Sequence, residues 1–198
     1  MKEIKIEDNF LSQQEFDVIQ RMLNPMVDTN STSPSQSFPW HFRYKYYAKP
    51  EGSDSSYIGS KDENEAALDQ FQFIHTFYDV GIPQSPHMGT LQFFVDSLQP
   101  VSIWRIRGNL LTRLPTIVEN PFHTDMAFLL EEKAKQWTTS IFYVNTNNGY
   151  TIFEDGTKVE SVANRMITFP ANLKHTGTSC TDQQVRIVIN FDYFSNQQ

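Results

Sequence analysis

The sequence predicts a mainly β protein, a sandwich, jelly roll or barrel, with N-terminal helices packed on one outer face. Three observations carry this. From Val101 onward the chain divides into short runs with apolar residues at every second position, the period of a half-buried strand. Two short turn signals, Asn148-Gly149 and Asp155-Gly156, lie between such runs. Before residue 100, apolar residues recur instead at helical spacing. With 198 residues and 39% hydrophobic content the chain suits one core. A single domain over 1–198 is therefore expected, with 1–100 as a helical and loop support region and 101–194 as the β core.

The elements follow in order. Ser12-Gln13-Gln14-Glu15 has capping-box spacing, Phe16, Ile19 and Leu23 continue it as a helix, and Asn24-Pro25 ends it. Residues 28–39 are rich in Ser, Thr and Pro and read as a surface loop; 40–47 alternate aromatic and basic residues, as a strand does. Residues 49–61 read as a second loop, and both loops are lid candidates. Leu68, Phe71, Ile74, His75 and Tyr78 fit a second helix, and Leu91, Phe94, Val95 and Leu98 a third. Strands are expected at 101–107, 109–114, 122–128, 138–145, 150–154, 158–162, 165–169, 173–176 and 185–194. The Asn-Gly and Asp-Gly pairs, read as two-residue turns, predict an antiparallel meander over 138–162.

Composition excludes several functions. A formal charge of −7 argues against nucleic acid or an anionic membrane as the main partner. One cysteine, Cys180, leaves no internal disulfide framework and no cysteine-rich zinc site. No apolar run approaches the roughly 18 residues of a membrane span. The charged opening residues lack the apolar stretch of a secretory signal, so a soluble, reduced, cytoplasmic protein is expected.

The chemistry concentrates in three places. In His123-Thr124-Asp125, strand geometry would turn His123 and Asp125 to one face, half of a metal site. Alone the motif is weak. His175 follows on a later strand. Two imidazoles and one carboxylate form the facial triad of non-haem Fe(II) oxygenases. Three protein ligands leave three positions, two for a chelating oxo-acid and one for O2. Arg186 stands in Val185-Arg186-Ile187-Val188-Ile189-Asn190-Phe191, an otherwise apolar strand of the kind buried on both faces. A guanidinium is costly to bury without an anion. Either it grips the carboxylate of a co-substrate, or it pairs with an internal Asp or Glu, or it lies at a strand edge in water. Ile187, Ile189 and Phe191, on the opposite face, are expected to pack under the helices.

The stretches Asn109-Leu110-Leu111-Thr112-Arg113, Pro121-Phe122-His123-Thr124-Asp125, Phe142-Tyr143-Val144-Asn145, 148–153, His175-Thr176-Gly177 and Arg186 resemble the Fe(II)- and 2-oxoglutarate-dependent dioxygenase superfamily in its prolyl-4-hydroxylase-like branch. They are particularly similar to small oxygenases encoded by marine bacteriophages, which would place the protein in the host cytoplasm. The resemblance covers about residues 100–194. It implies a double-stranded β-helix, a form of jelly roll. It implies Fe(II) on His123, Asp125 and His175, with 2-oxoglutarate held by Arg186, and hydroxylation of a C–H bond in a peptidyl, amino-acid or small-molecule substrate. Two departures stand out. Prolyl hydroxylases usually carry a co-substrate Tyr on the strand before the His-x-Asp; here Asn109 and Leu111 stand there, so Asn109 is expected to contact 2-oxoglutarate. Collagen-type enzymes use Lys where this chain has Arg186.

Other residues are weighed beside these. Thr151 is either a co-substrate contact or an ordinary strand threonine. Of Arg105, Arg107 and Arg113, most are expected in solvent, with Arg113 the candidate for the substrate entrance. His41, His75 and His87 lack metal-ligand spacing and read as structural or exposed. Cys180 has no neighbouring base and no expected catalytic role. Two alternatives to the oxygenase are a non-catalytic jelly-roll binding module and a cupin-type metal hydrolase or isomerase.

Overall fold

The computed structural model describes residues 4–24, 38–43 and 71–195. In chain order these form β1 (Lys5–Glu7), α1 (Gln13–Leu23), β2 (His41–Arg43), β3 (Gln72–Asp79), β4 (Ile82–Pro83), a 3-10 turn (Pro86–Leu91), α2 (Gln92–Leu98), β5 (Ser102–Thr112), α3 (Glu131–Ala134), β6 (Trp137–Tyr143), β7 (Tyr150–Phe153), β8 (Lys158–Glu160), β9 (Arg165–Pro170), β10 (His175–Gly177) and β11 (Val185–Phe194). Among the described residues, one antiparallel sheet runs β1-β9-β6-β11-β5-β3-β2, with β4 beside β3, and a smaller one runs β10-β7-β8. Phe153 and Val159 of the small sheet pack on Ile141, Ile167 and Val188 of the large one. The architecture is mainly β, a jelly roll with helices on one outer face.

The strand period divides the large sheet's chemistry. On β11, Ile187, Ile189 and Phe191 face outward under the helices, where they join Phe16, Ile19, Leu23 and Phe94 in the main core. The alternate positions, Arg186, Val188 and Asn190, line a cavity between the sheets, together with Arg107, Asn109 and Leu111 of β5. Every residue of β11 except Phe194 is buried, as its apolar run requires.

Helix α1 begins at the expected capping box. The Glu15 carboxylate accepts the Ser12 backbone N–H at 3.0 Å, while the Ser12 hydroxyl accepts the Glu15 N–H at 3.4 Å. It ends at Asn24, which is extended, as a residue before proline must be. The third expected helix is α2.

Several expectations change. Over its described part the second helix is strand β3, and Leu68 lies outside the described residues. Gln72 lines the cavity while Phe73 and Phe77 join the helix-covered core, so both faces are buried and the alternation that marks a strand is lost. The region before residue 100 is thus not only helix and loop, since it gives β1 to β4 to the large sheet. The runs 101–107 and 109–114 are one strand, β5; Gly108 does not break it but lets the Trp40 ring approach to 3.1 Å from where a Cβ would stand. Residues 122–128 are not a strand: a bridge at His123 is followed by a turn from Asp125. The 138–162 meander does not form. β6 pairs with β9 and β11, β7 pairs with β8 and β10, and Asn148-Gly149 lies where the chain crosses between sheets. The Asp155-Gly156 hairpin does form, with a three-residue loop closed by Phe153 and Thr157 and with Gly156 at φ 87°. The lid candidate at 49–61 lies outside the described residues, as do 28–37 of the other and 44–47 of the aromatic strand.

The two layers meet at Phe142, fully buried, whose ring lies 4.7 Å from Phe94 and 6.1 Å from Phe16. Phe142→Ala should cost about 3–5 kcal/mol, read from the denaturant midpoint, because the void lies between sheet and helices and cannot easily collapse.

Candidate metal centre and its cavity

His123, Asp125 and His175 come together: one ligand atom from each lies within 4.8 Å of the others. The backbone fixes the first pair. His123 N–H donates to the His175 carbonyl at 3.0 Å and His175 N–H to the His123 carbonyl at 2.9 Å. This two-bond bridge joins the 121–125 segment to β10, and it sets the ring centroids 4.7 Å apart. The turn beginning at Asp125 then swings its carboxylate beneath the rings. Oδ2 lies 3.4 Å from His175 Nε2 and Oδ1 lies 3.9 Å from His123 Nε2. The His175 Nδ1 pairs with the Leu173 carbonyl at 3.0 Å, and the His123 ring with the Pro121 backbone. Such contacts orient metal-binding imidazoles.

The charges are strongly tuned. Burial, with His175 alongside, pushes the His123 pKa down to about 3, so that ring is neutral and fit to be a ligand. Burial works against ionised Asp125, but His175 and Arg105 outweigh it and hold the carboxyl well below its usual range. Burial likewise opposes protonated His175, and Asp125 outweighs it and raises its pKa. Asp125 Oδ2 is buried and accepts no hydrogen bond of normal geometry among the described residues. Two imidazoles and a carboxylate oxygen wanting a partner suit a divalent first-row ion with open positions.

Arg186 lines the same cavity and is 3% exposed. Its Nε donates to Ser161 Oγ at 2.9 Å and an outer nitrogen to Thr151 Oγ1 at 3.3 Å. No carboxylate pairs with it among the described residues, so neither the internal ion pair nor the wet strand edge applies. Thr151 also accepts from Tyr143 Oη at 2.7 Å, and the Tyr143 ring stands 5.7 Å from the guanidinium carbon. Gly149 makes this possible. A Cβ there would lie 2.8 Å from Arg186 Cδ and 2.7 Å from the Ser179 carbonyl.

Asn109 is in the cavity, with its Nδ2 donating to Asn190 Oδ1 at 3.3 Å and its Oδ1 buried without a hydrogen bond among the described residues. Arg113 is exposed and does not line the cavity; Arg107 does. Arg105 is not in solvent. It bridges Asp125 and Asp192. His75 is structural, its ring held by the Pro39 carbonyl and Ser85 Oγ. Cys180 is buried.

Sequence reasoning missed Tyr143, Arg105 and Asp192. A signal existed for the last: alternate positions of β11 read Arg186, Val188, Asn190, Asp192, a polar stripe inside an apolar strand. Tyr143 stood in one of the stretches that carry the resemblance, but nothing there marked its hydroxyl as a partner of Thr151.

No protein-family model matches the sequence, and no curated protein matches it. Solved structures do. An oxidoreductase of the 2OG-Fe(II) oxygenase family from Burkholderia pseudomallei matches 96% of this chain and 84% of its own at TM-score 0.59 and 11% identity. A prolyl hydroxylase from Trichoplax adhaerens, in complex with a hypoxia inducible factor peptide fragment, matches 98% and 84% at 0.57 and 10%. The non-heme alpha ketoglutarate dependent epimerase SnoN from nogalamycin biosynthesis matches 98% and 78% at 0.58 and 9%. At these identities the likeness is one of fold. Among the described residues no helix is long and apolar enough to cross a membrane.

Gly149→Ala should lower the thermal midpoint and displace Arg186, read as altered Arg186 side-chain NMR signals; unchanged signals would separate Gly149 from the cavity. Asp125→Ala should keep the fold by circular dichroism while removing specific divalent-metal binding by calorimetry.

Proposed function

We propose that the chain is an Fe(II)- and 2-oxoglutarate-dependent dioxygenase, coupling oxidative decarboxylation of 2-oxoglutarate to hydroxylation of a C–H bond in a peptidyl, amino-acid or small-molecule substrate. The observation that carries this reading is the pairing, in one cavity, of a two-imidazole, one-carboxylate donor set with a buried guanidinium that has no carboxylate partner among the described residues. A buried charge stripped of its partner costs about 3–5 kcal/mol. The fold keeps Arg186 in that condition beside hydroxyls that also serve an anion.

In this reading His123, Asp125 and His175 hold the iron, which when bound supplies the oxidising chemistry together with O2 and the co-substrate. The chain's own work is placement. Arg186 receives the distal carboxylate of 2-oxoglutarate through its outer nitrogens, while Ser161 fixes Nε. Thr151, which accepts from both Tyr143 and Arg186, keeps its own O–H to donate to the same carboxylate. Asn109 presents its amide to the cavity between them and the metal side. Val188, Ile141 and Leu111 form the apolar part of the wall, which limits water at the reacting end. Arg107, rather than Arg113, is the arginine placed to meet a substrate.

Fe(II) and 2-oxoglutarate added without air should give a weak visible absorption band, and air should then release succinate even without a prime substrate. Neither appearing with fresh Fe(II) would reject the proposal. Arg186→Ala should weaken 2-oxoglutarate binding by about 2–5 kcal/mol, read from titration of that band, while metal affinity stays near wild type. Equal losses in both would reject the role given to Arg186.

A further inference from the structure

Asp192 is a second buried carboxylate next to the metal centre. It sits on β11 directly opposite Arg105 on β5 and is fully buried. One outer nitrogen of Arg105 lies 2.7 Å from Asp192 Oδ2 and 3.0 Å from Asp125 Oδ1, so a single guanidinium nitrogen separates the two carboxylates. Arg105 Nε donates to the same Asp192 oxygen at 2.9 Å, and Thr139 Oγ1 donates to Asp192 Oδ1 at 3.1 Å. Asp192 is not one of the three residues whose ligand atoms cluster.

The bonding is asymmetric. Arg105 occupies Oδ1 of Asp125 and leaves Oδ2, the oxygen nearer His175 Nε2, without a hydrogen bond of normal geometry among the described residues. We propose that Arg105 is a positioning residue that holds the protein ligand count at three: it claims one oxygen of Asp125, so that this carboxylate offers the metal a single atom, and it holds Asp192 off as a fourth ligand. The inference rests on the metal-binding reading above. Its physical basis is simple. Two carboxylates facing a dication without the guanidinium between them would both be drawn to it, and the added oxygens would fill positions that a chelating oxo-acid needs. A positive charge beside a cation site weakens metal binding, so retaining it makes sense where open positions matter more than affinity.

The test compares Arg105→Met with Arg105→Met/Asp192→Asn, using Mn(II) binding by electron paramagnetic resonance and anaerobic titration of 2-oxoglutarate into the Fe(II) protein. Arg105→Met should bind Mn(II) at least as well as wild type, yet need about tenfold or more 2-oxoglutarate to develop the visible band. Removing the second carboxylate should restore the titration. A merely structural Arg105 would lose metal and 2-oxoglutarate together with no recovery in the double variant, and that result overturns the inference. So does a single variant that titrates like wild type. Should Arg105→Met be insoluble, Arg105→Gln, which also removes the charge between the two carboxylates, carries the same expectation, with the same recovery in Arg105→Gln/Asp192→Asn. Absence of the band in wild type would fail the proposed function rather than this inference.

Discussion

The structure depends on how one strand, β11, handles buried charge. Its outward Ile187, Ile189 and Phe191 are hydrocarbon and anchor the helical layer. Its inward positions put Arg186 and Asp192 in the interior, where a lone ion costs several kcal/mol. Asp192 is answered by Arg105 from the neighbouring strand, but that guanidinium is shared with Asp125, so two carboxylates divide one positive charge there. Arg186, six residues away on the same face, is answered only by hydroxyls. One end of the site thus has two carboxylates around a single guanidinium, and the other has a guanidinium that lacks an anion.

That asymmetry explains much of the surrounding construction. The small sheet is fastened to the large one through Phe153 and Val159, and its Thr151, His175 and Gly177 line the cavity. Its last strand, β10, delivers His175 to His123 through paired backbone bonds, so the imidazole geometry is set by main chain. The Asn148-Gly149 crossing lies against Arg186, where the absence of a side chain gives the guanidinium's stem room.

The same partition decides what was legible in the sequence. The sequence signals for the candidate site were the His123-x-Asp125 pair with a later His175 and a charge, Arg186, inside an apolar run, and α1 was visible because capping and a proline stop are local signals. The outward role of Ile187, Ile189 and Phe191 followed from period two. β3 was not legible, because burial on both faces leaves no alternation to read. The 138–162 pairing failed because partner choice among strands is a long-range matter: an Asn-Gly pair permits a tight hairpin but equally permits a crossing between sheets. Arg105 was unremarkable in sequence and Asp192 was one member of a polar stripe; only the register between β5 and β11 makes them a pair.

The central claim is that one end of this cavity takes a divalent metal and the other a carboxylate of the same small molecule. A crystal structure of the protein grown without air with Mn(II) and N-oxalylglycine, an unreactive mimic of 2-oxoglutarate, tests it most directly. The metal should sit on His123, Asp125 and His175, chelated by the mimic, with the far carboxylate on Arg186. A metal elsewhere, or a mimic whose far carboxylate avoids Arg186, would contradict it.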